Sequence, residues 1–127
     1  MRIKKEKGQA MVEFALVLPL LLLLLCGICE FGYLFSHQIL ANNTCREAAR
    51  YAAVHYKDDG ASAVEEQVKT IIQKNSSNFN EQITIPKEEE IKVVLTIRVQ
   101  LLTPFFKFLD DGGGYINLTS QCTMRIE

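Results

Sequence analysis

The sequence predicts an α+β fold in which one long N-terminal helix packs against a small antiparallel β-sheet. Residues 14–29 carry no charged side chain, and residues 36–56 contain neither proline nor glycine, so a single helix is expected to run through both stretches. Residues 91–101 and 116–126 each alternate apolar with polar side chains, the period of a strand that buries one face. These two strands are expected to form an antiparallel hairpin whose apolar face covers the helix.

The apolar part of the helix is long enough to cross a membrane. A helix from Phe14 to Phe35 would be about 33 Å long, against a hydrocarbon core of about 30 Å. The preceding residues are basic, and the positive-inside rule therefore predicts a cytoplasmic N-terminus. We divide the chain into a leader at 1–8, a transmembrane helix at 9–35 and an extracytoplasmic domain at 36–127.

A secretory signal peptide also begins with basic residues and continues with an apolar stretch, so it is the first alternative. Glu13 interrupts the front of the apolar stretch, and no clean small-x-small cleavage site follows it. The nearest candidate site is the sequence CGIC at residues 26–29. These features favour an anchor over a removed signal peptide.

Composition argues against nucleic-acid binding and against catalysis. The net charge is −1, and the basic residues are not concentrated on one predicted face, so binding to nucleic acid has no electrostatic support. His37 and His55 lie on one predicted helix without a partner nucleophile or metal-ligand spacing. No glycine-rich phosphate loop is present in the sequence. We therefore expect no enzyme activity, no cofactor and no metal.

Several short stretches resemble one protein family. Residues 8–14 read GQAMVEF and are followed by ALVLP, a leucine run and then EFG at 30–32. Residues 45–53, CREAARYAA, agree as well, and TMRIE at 123–127 agrees loosely. This pattern is similar to the TadE-like family of minor pseudopilins over the first 54 residues, whereas residues 54–86 resemble nothing known.

The resemblance implies a pilin-like fold and a function in the Tad (tight adherence) branch of type IV pilus systems, for adherence or secretion. It implies a location in the bacterial cytoplasmic membrane. The implied partners are a prepilin peptidase, other pilins and the proteins of the Tad assembly platform. The alternative is an uncleaved, membrane-anchored extracytoplasmic protein that serves as a binding or scaffold domain.

The family is cut just after its leader glycine, which implies cleavage between Gly8 and Gln9. Glu13 would then be the fifth residue of the mature chain, and Gln9 would carry a new ammonium group at the head of the helix. In assembled pilins of this type the fifth-position glutamate meets the N-terminal amine of a neighbouring subunit, a pairing that a low dielectric strengthens. The alternative for Glu13 is a carboxylate that reaches back to the cytoplasmic interface.

The remaining elements follow from spacing. Small side chains at helical spacing are expected to face the sheet: Ala41, Cys45, Ala48 and Ala52. A second helix is expected to begin with a capping box of Ser62 and Glu65, after a turn at 58–60. We expect a loop at 75–80, an edge strand at 82–85 stopped by Pro86, and an apolar connection at 104–109 whose phenylalanines are packed or form an exposed contact patch.

The four cysteines fall into two pairs. Cys26 and Cys29 lie inside the apolar run, where the aqueous surroundings that redox chemistry requires are missing, so they are interpreted as small packing residues. Cys45 and Cys122 are both predicted to face the interior of the outer domain, in an oxidising compartment. They form either a disulfide or two buried free thiols.

Overall fold

The computed structural model describes residues 2–76, 79–84, 90–104, 107 and 113–126. Two helices, α1 (Arg2–Asp59) and α2 (Ala61–Asn75), precede three strands, β1 (Phe79–Thr84), β2 (Glu90–Gln100) and β3 (Tyr115–Arg125). The predicted α+β class, with a long N-terminal helix and a small antiparallel sheet, is confirmed.

The chain divides into two compact units, Met1–Tyr33 and Leu34–Glu127. The first unit consists of the N-terminal part of α1, and the most apolar window of that helix has a mean hydropathy of 2.6 with none of it buried. Within the described part of the chain this is the one helix long and apolar enough to cross a membrane. An apolar helix without a protein cover is suited to lipid, which indicates single-pass membrane anchoring.

The second unit is built around the predicted stripe of small side chains on α1. Ala41, Cys45 and Ala48 are fully buried, and Ala52 is 1 % exposed. The buried face is wider than predicted, because Ala49, Ala53 and Thr44 are buried too. Small side chains let a sheet approach the helix closely, and large apolar residues supplied by the other elements complete the core: Val64, Val68 and Ile72 of α2 with Ile91, Val93 and Leu95 of β2.

The sheet has the order β1-β2-β3, and both strand pairs are antiparallel. The predicted hairpin of the two long strands is confirmed, with Val93 of β2 opposite Cys122 of β3. Along β2 the side chains from Ile91 to Val99 are buried at every second position, as the alternation predicted. The amide of Leu101 donates to the carbonyl of Gly114 at 2.9 Å, which ties the two ends of the hairpin connection together.

The edge strand begins earlier than expected. β1 starts at Phe79, and α2 continues to Asn75, so the loop predicted at 75–80 is wrong at both ends. Phe79 pairs with Ile97 and packs against the core, and burial of an aromatic ring outweighs the turn preference of the asparagines and serines around it. The predictions for Pro86 and for the phenylalanines of the apolar connection, Phe105, Phe106 and Phe108, concern residues outside the described part of the chain.

The predicted capping box of α2 is wrong. The N-cap residue is Gly60, and no side chain caps the first turn, so Ser62 lies within the helix as its second residue. Gly60 has φ 80 and ψ 164, a region of backbone space that is open essentially to glycine alone. The abrupt turn from α1 into α2 therefore depends on the backbone conformation that glycine allows at position 60. The hydroxyl of Ser62 does not cap the helix.

Replacing Gly60 with alanine is expected to destabilise the second unit by about 1–3 kcal/mol, because alanine is strained at this φ and ψ. No atom crowds the position, so the cost is one of backbone conformation alone. Amide exchange in β2 should accelerate about tenfold or more in Gly60→Ala, while Ser62→Ala should leave it nearly unchanged. Equal exchange rates in the two variants would show that Gly60 does not set this turn.

Candidate processing and assembly site

Gly8 and Gln9 are neighbours near the start of α1, and Glu13 lies one turn after Gln9, all within the first unit. The side-chain amide of Gln9 donates to the carboxylate of Glu13, with 3.3 Å between Nε2 and Oε1. Glu13 is exposed. An exposed carboxylate held by one long hydrogen bond remains available to a stronger, cationic partner.

The fold does not account for the glycine at position 8. A Cβ built on Gly8 would meet no atom within 4 Å, and its backbone is helical. Glycine in a helix costs about 1 kcal/mol relative to alanine. Neither packing against the described residues nor a special backbone conformation therefore requires a glycine at position 8, and the same holds for Gly32 farther along the helix.

Cys45 and Cys122 are brought together by the packing of α1 on the sheet. The Sγ of Cys45 donates to the carbonyl of Val93 at 3.3 Å and to that of Ser120 at 3.8 Å. Burial raises the pKa of Cys45 to about 12, with a further contribution from the neighbouring thiol of Cys122. Both cysteines carry free thiols in this structure, and the disulfide between them stays a prediction.

A polar cluster that sequence reasoning missed connects α1 to β3. The hydroxyl of Ser120 donates to Oδ1 of Asn42 at 2.8 Å, and the amide of Gln38 reaches the same oxygen at 3.1 Å and the carbonyl of Thr119 at 3.4 Å. We call Gln38, Asn42 and Ser120 the polar clamp. Its sequence signal was a glutamine and an asparagine one turn apart, beside the first residue of the small stripe.

Two further buried polar groups escaped prediction. Thr44 is 1 % exposed, and within the described part of the chain its hydroxyl has no hydrogen-bond partner. Glu30 is 2 % exposed, although it interrupts an otherwise apolar run. The sequence signal for Glu30 was its charge alone, which cannot tell a lipid-facing carboxylate from a buried one.

Residues 8–50 match the model of a protein family described as TadE-like protein. This segment of the chain is similar to that family. It contains Gly8, Gln9 and Glu13 and confirms the resemblance seen in the sequence, whereas the loose similarity at 123–127 lies outside the match. No curated protein and no solved structure gives a significant match.

The match covers about a third of the chain, and the family that it indicates is associated with the Tad pilus system. Proteins of this pilus-related family are generally structural and not enzymes. Among the side chains that the structure describes, no group of three or more His, Cys, Asp or Glu residues is placed to hold a metal ion.

Proposed function

We propose that this chain is a minor pseudopilin that a prepilin peptidase matures by cutting between Gly8 and Gln9, and that the mature chain takes part in assembling a Tad-type pilus. The observation that carries the proposal is the start of the TadE-like match at Gly8, the residue beside which the cut is expected.

The positive charge of the leader fits a cleavage that takes place at the cytoplasmic face of the membrane before assembly. Basic residues hold the N-terminus on the cytoplasmic side, so the bond after Gly8 is presented to the peptidase at that face of the membrane. Removal of the leader takes away most of the positive charge ahead of the span and leaves one ammonium group, on Gln9. The outer domain at 36–127 then projects from the opposite face.

Glu13 is the residue that we assign to assembly. It is exposed in the single chain, and among the described residues its hydrogen-bond partner is the neutral amide of Gln9. The ammonium group of another subunit's Gln9 offers a charge-assisted bond in place of this neutral contact. A low dielectric strengthens such a pair, so subunits whose helices meet in the membrane are held at a defined axial offset.

The N-terminal sequence of the protein recovered from membranes tests the cleavage. We expect a chain that begins at Gln9. A chain that keeps Met1 through Gly8 would overturn the proposal in favour of the alternative, a permanently anchored extracytoplasmic binding or scaffold protein. Intact-mass measurement on the same sample distinguishes the two forms independently, because they differ by the whole leader.

Replacing Glu13 with alanine is expected to leave membrane insertion intact and to lower association with other pilins at least about tenfold, the loss expected for one charge-assisted bond. The measurement is the amount of the variant that co-purifies with cross-linked pilins, relative to its amount in the membrane. Glu47→Gln is the matched control, since it removes an exposed carboxylate from α1 outside the predicted span. Unchanged association of Glu13→Ala would show that the carboxylate does not join subunits.

A further inference from the structure

The solvent-facing side of the sheet contains a groove that the pilus function does not use. Its volume is about 340 Å³, near the lower end of the range of about 300–1,000 Å³ for small-molecule sites. We call it the sheet groove. The described residues that line it are all polar, or aromatic with a hydroxyl, and come from the three strands: Asn80, Thr96, Arg98, Tyr115 and Asn117.

The cross-strand register explains why these side chains converge. Asn80 of β1 is opposite Thr96 of β2, and Arg98 is opposite Asn117 of β3, so all of them project from one face. Tyr115 is the diagonal neighbour of Arg98, and the guanidinium carbon of Arg98 lies 4.4 Å from the centre of its ring. This contact holds the arginine through a cation–π interaction. Among the described residues, none accepts a hydrogen bond from its guanidinium N–H groups.

The guanidinium of Arg98 supplies positive charge to the groove. Within the described part of the chain, no carboxylate lies within ion-pair distance of it. Glu90 shares this face of β2 but stands opposite Arg125 at the other end of the hairpin. Eight residues of strand separate Glu90 from Arg98, or about 26 Å, which exceeds the Debye length of about 8 Å at physiological salt. Of the described residues that line the groove, Arg98 is the charged one, and no described carboxylate pairs with it.

We propose that the sheet groove binds a saccharide unit that carries a carboxylate. The planar fork of Arg98 matches a carboxylate in two parallel hydrogen bonds. The amides of Asn80 and Asn117 donate and accept at once, as sugar hydroxyls require, and the hydroxyl of Thr96 does the same. Apart from the ring of Tyr115, the described lining residues offer little apolar surface to a lipid or an apolar peptide. A nucleic-acid backbone needs several cations, and the described lining has one.

Calorimetric titration of the full chain in nanodiscs of zwitterionic lipid tests the assignment. The probes are a trimer of galacturonic acid and a neutral trimer of galactose, which differ in the carboxylates. We expect the acidic trimer to bind at least about tenfold more tightly and to lose this advantage as salt rises. No detectable binding of the acidic trimer, or equal binding of the two, would overturn the proposal. The test needs neither leader cleavage nor pilus assembly, so its outcome is separate from theirs.

Arg98→Gln is expected to weaken binding of the acidic trimer about tenfold or more while binding of the neutral trimer stays unchanged. Arg125→Gln is the matched control, because it removes one positive charge from the same face far from the groove, and it should change affinity less than about twofold. An equal loss in both variants would overturn the proposal in favour of diffuse charge attraction. Asn117→Ala leaves the charge unchanged and should weaken binding of both trimers, which gives a readout independent of Arg98.

Discussion

Gly8→Leu is expected to accumulate in the membrane with its leader attached, at least about a hundredfold less processed than the natural chain. The expected block comes from the peptidase and not from misfolding of this chain. A side chain at position 8 would meet nothing within 4 Å, so leucine is accommodated, and leucine favours the helix more than glycine does. A block can then arise only where a peptidase must hold the backbone next to the scissile bond closely, an approach that a Cβ and its branches obstruct.

Gly32→Leu is the matched control, because Gly32 lies in the same helix and is equally uncrowded. This variant should be processed like the natural chain, which separates a requirement at the cleavage site from a general effect of a bulkier helix. The measurement is the ratio of leader-bearing to mature chain by intact mass, in cells that contain a prepilin peptidase. Normal maturation of Gly8→Leu to a chain beginning at Gln9 would contradict the proposed recognition of Gly8.

The elements that the sequence predicted well are those in which a repeated pattern is set by burial. Every second side chain from Ile91 to Val99 is buried, because a strand between a core and solvent has no other way to separate its faces. The small stripe on α1 was visible for the same reason, since Ala41, Cys45 and Ala48 recur on one side of the helix. In both the strand and the helix, several residues indicate the same buried face, so a single residue that departs from the pattern does not change the prediction.

The misses depend on single residues whose role is set by distant partners. Phe79 starts β1 because its ring reaches the core, although its neighbours read as a turn. Asn42 joins the polar clamp because Ser120 is brought opposite it by folding. Ser62 looked like a cap, but the left-handed turn at Gly60 starts the helix sooner. A one-dimensional pattern cannot contain such information, since each case is decided by a residue or a backbone angle elsewhere.

The same distinction applies to the candidate site. The family resemblance placed Gly8, Gln9 and Glu13 on one stretch of sequence, and their spacing on a helix follows at once. The proximity of Cys45 to Val93 and Ser120 requires the register of the hairpin and the seating of α1 on it. The sequence could predict that Cys45 and Cys122 face the same core, but it could not predict that their thiols interact.

In cells, the chain whose outer domain has crossed the membrane is expected to contain a Cys45–Cys122 disulfide. The disulfide should stabilise the outer domain by about 4 kcal/mol relative to the reduced form, which is the chain-entropy estimate for so long a loop. A thiol–disulfide oxidoreductase supplies the oxidising equivalent. Its disulfide accepts the two electrons and two protons of the thiols of Cys45 and Cys122, which become joined through sulfur. The oxidising setting outside the cytoplasm favours this direction.

The raised pKa of Cys45 determines when the bond forms. With the pKa near 12, the folded chain holds almost no thiolate at this position at neutral pH, and thiolate is the reactive species. Cys45 is also fully buried, so an oxidoreductase cannot reach its sulfur in the folded domain. Oxidation is therefore expected while the chain emerges from the membrane, before the hairpin closes on α1. A reduced chain, once folded, should resist oxidation and become oxidisable in denaturant.

The pH dependence of stability separates the two redox forms. Folding raises the pKa of Cys45 from 9.0 to about 12. The contribution of this thiol to the stability of the reduced domain is therefore fully present below pH 9 and is lost as the pH rises from about 9 to 12. The oxidised domain has no such thiol to ionise, and its advantage over the reduced form should grow across that interval. Amide exchange in β3 at several pH values measures the difference.

Alkylation in denaturant without reductant, followed by mass analysis, provides the direct test of the disulfide. Two modified thiols, at Cys26 and Cys29, are expected, and four would show that Cys45 and Cys122 are not bonded.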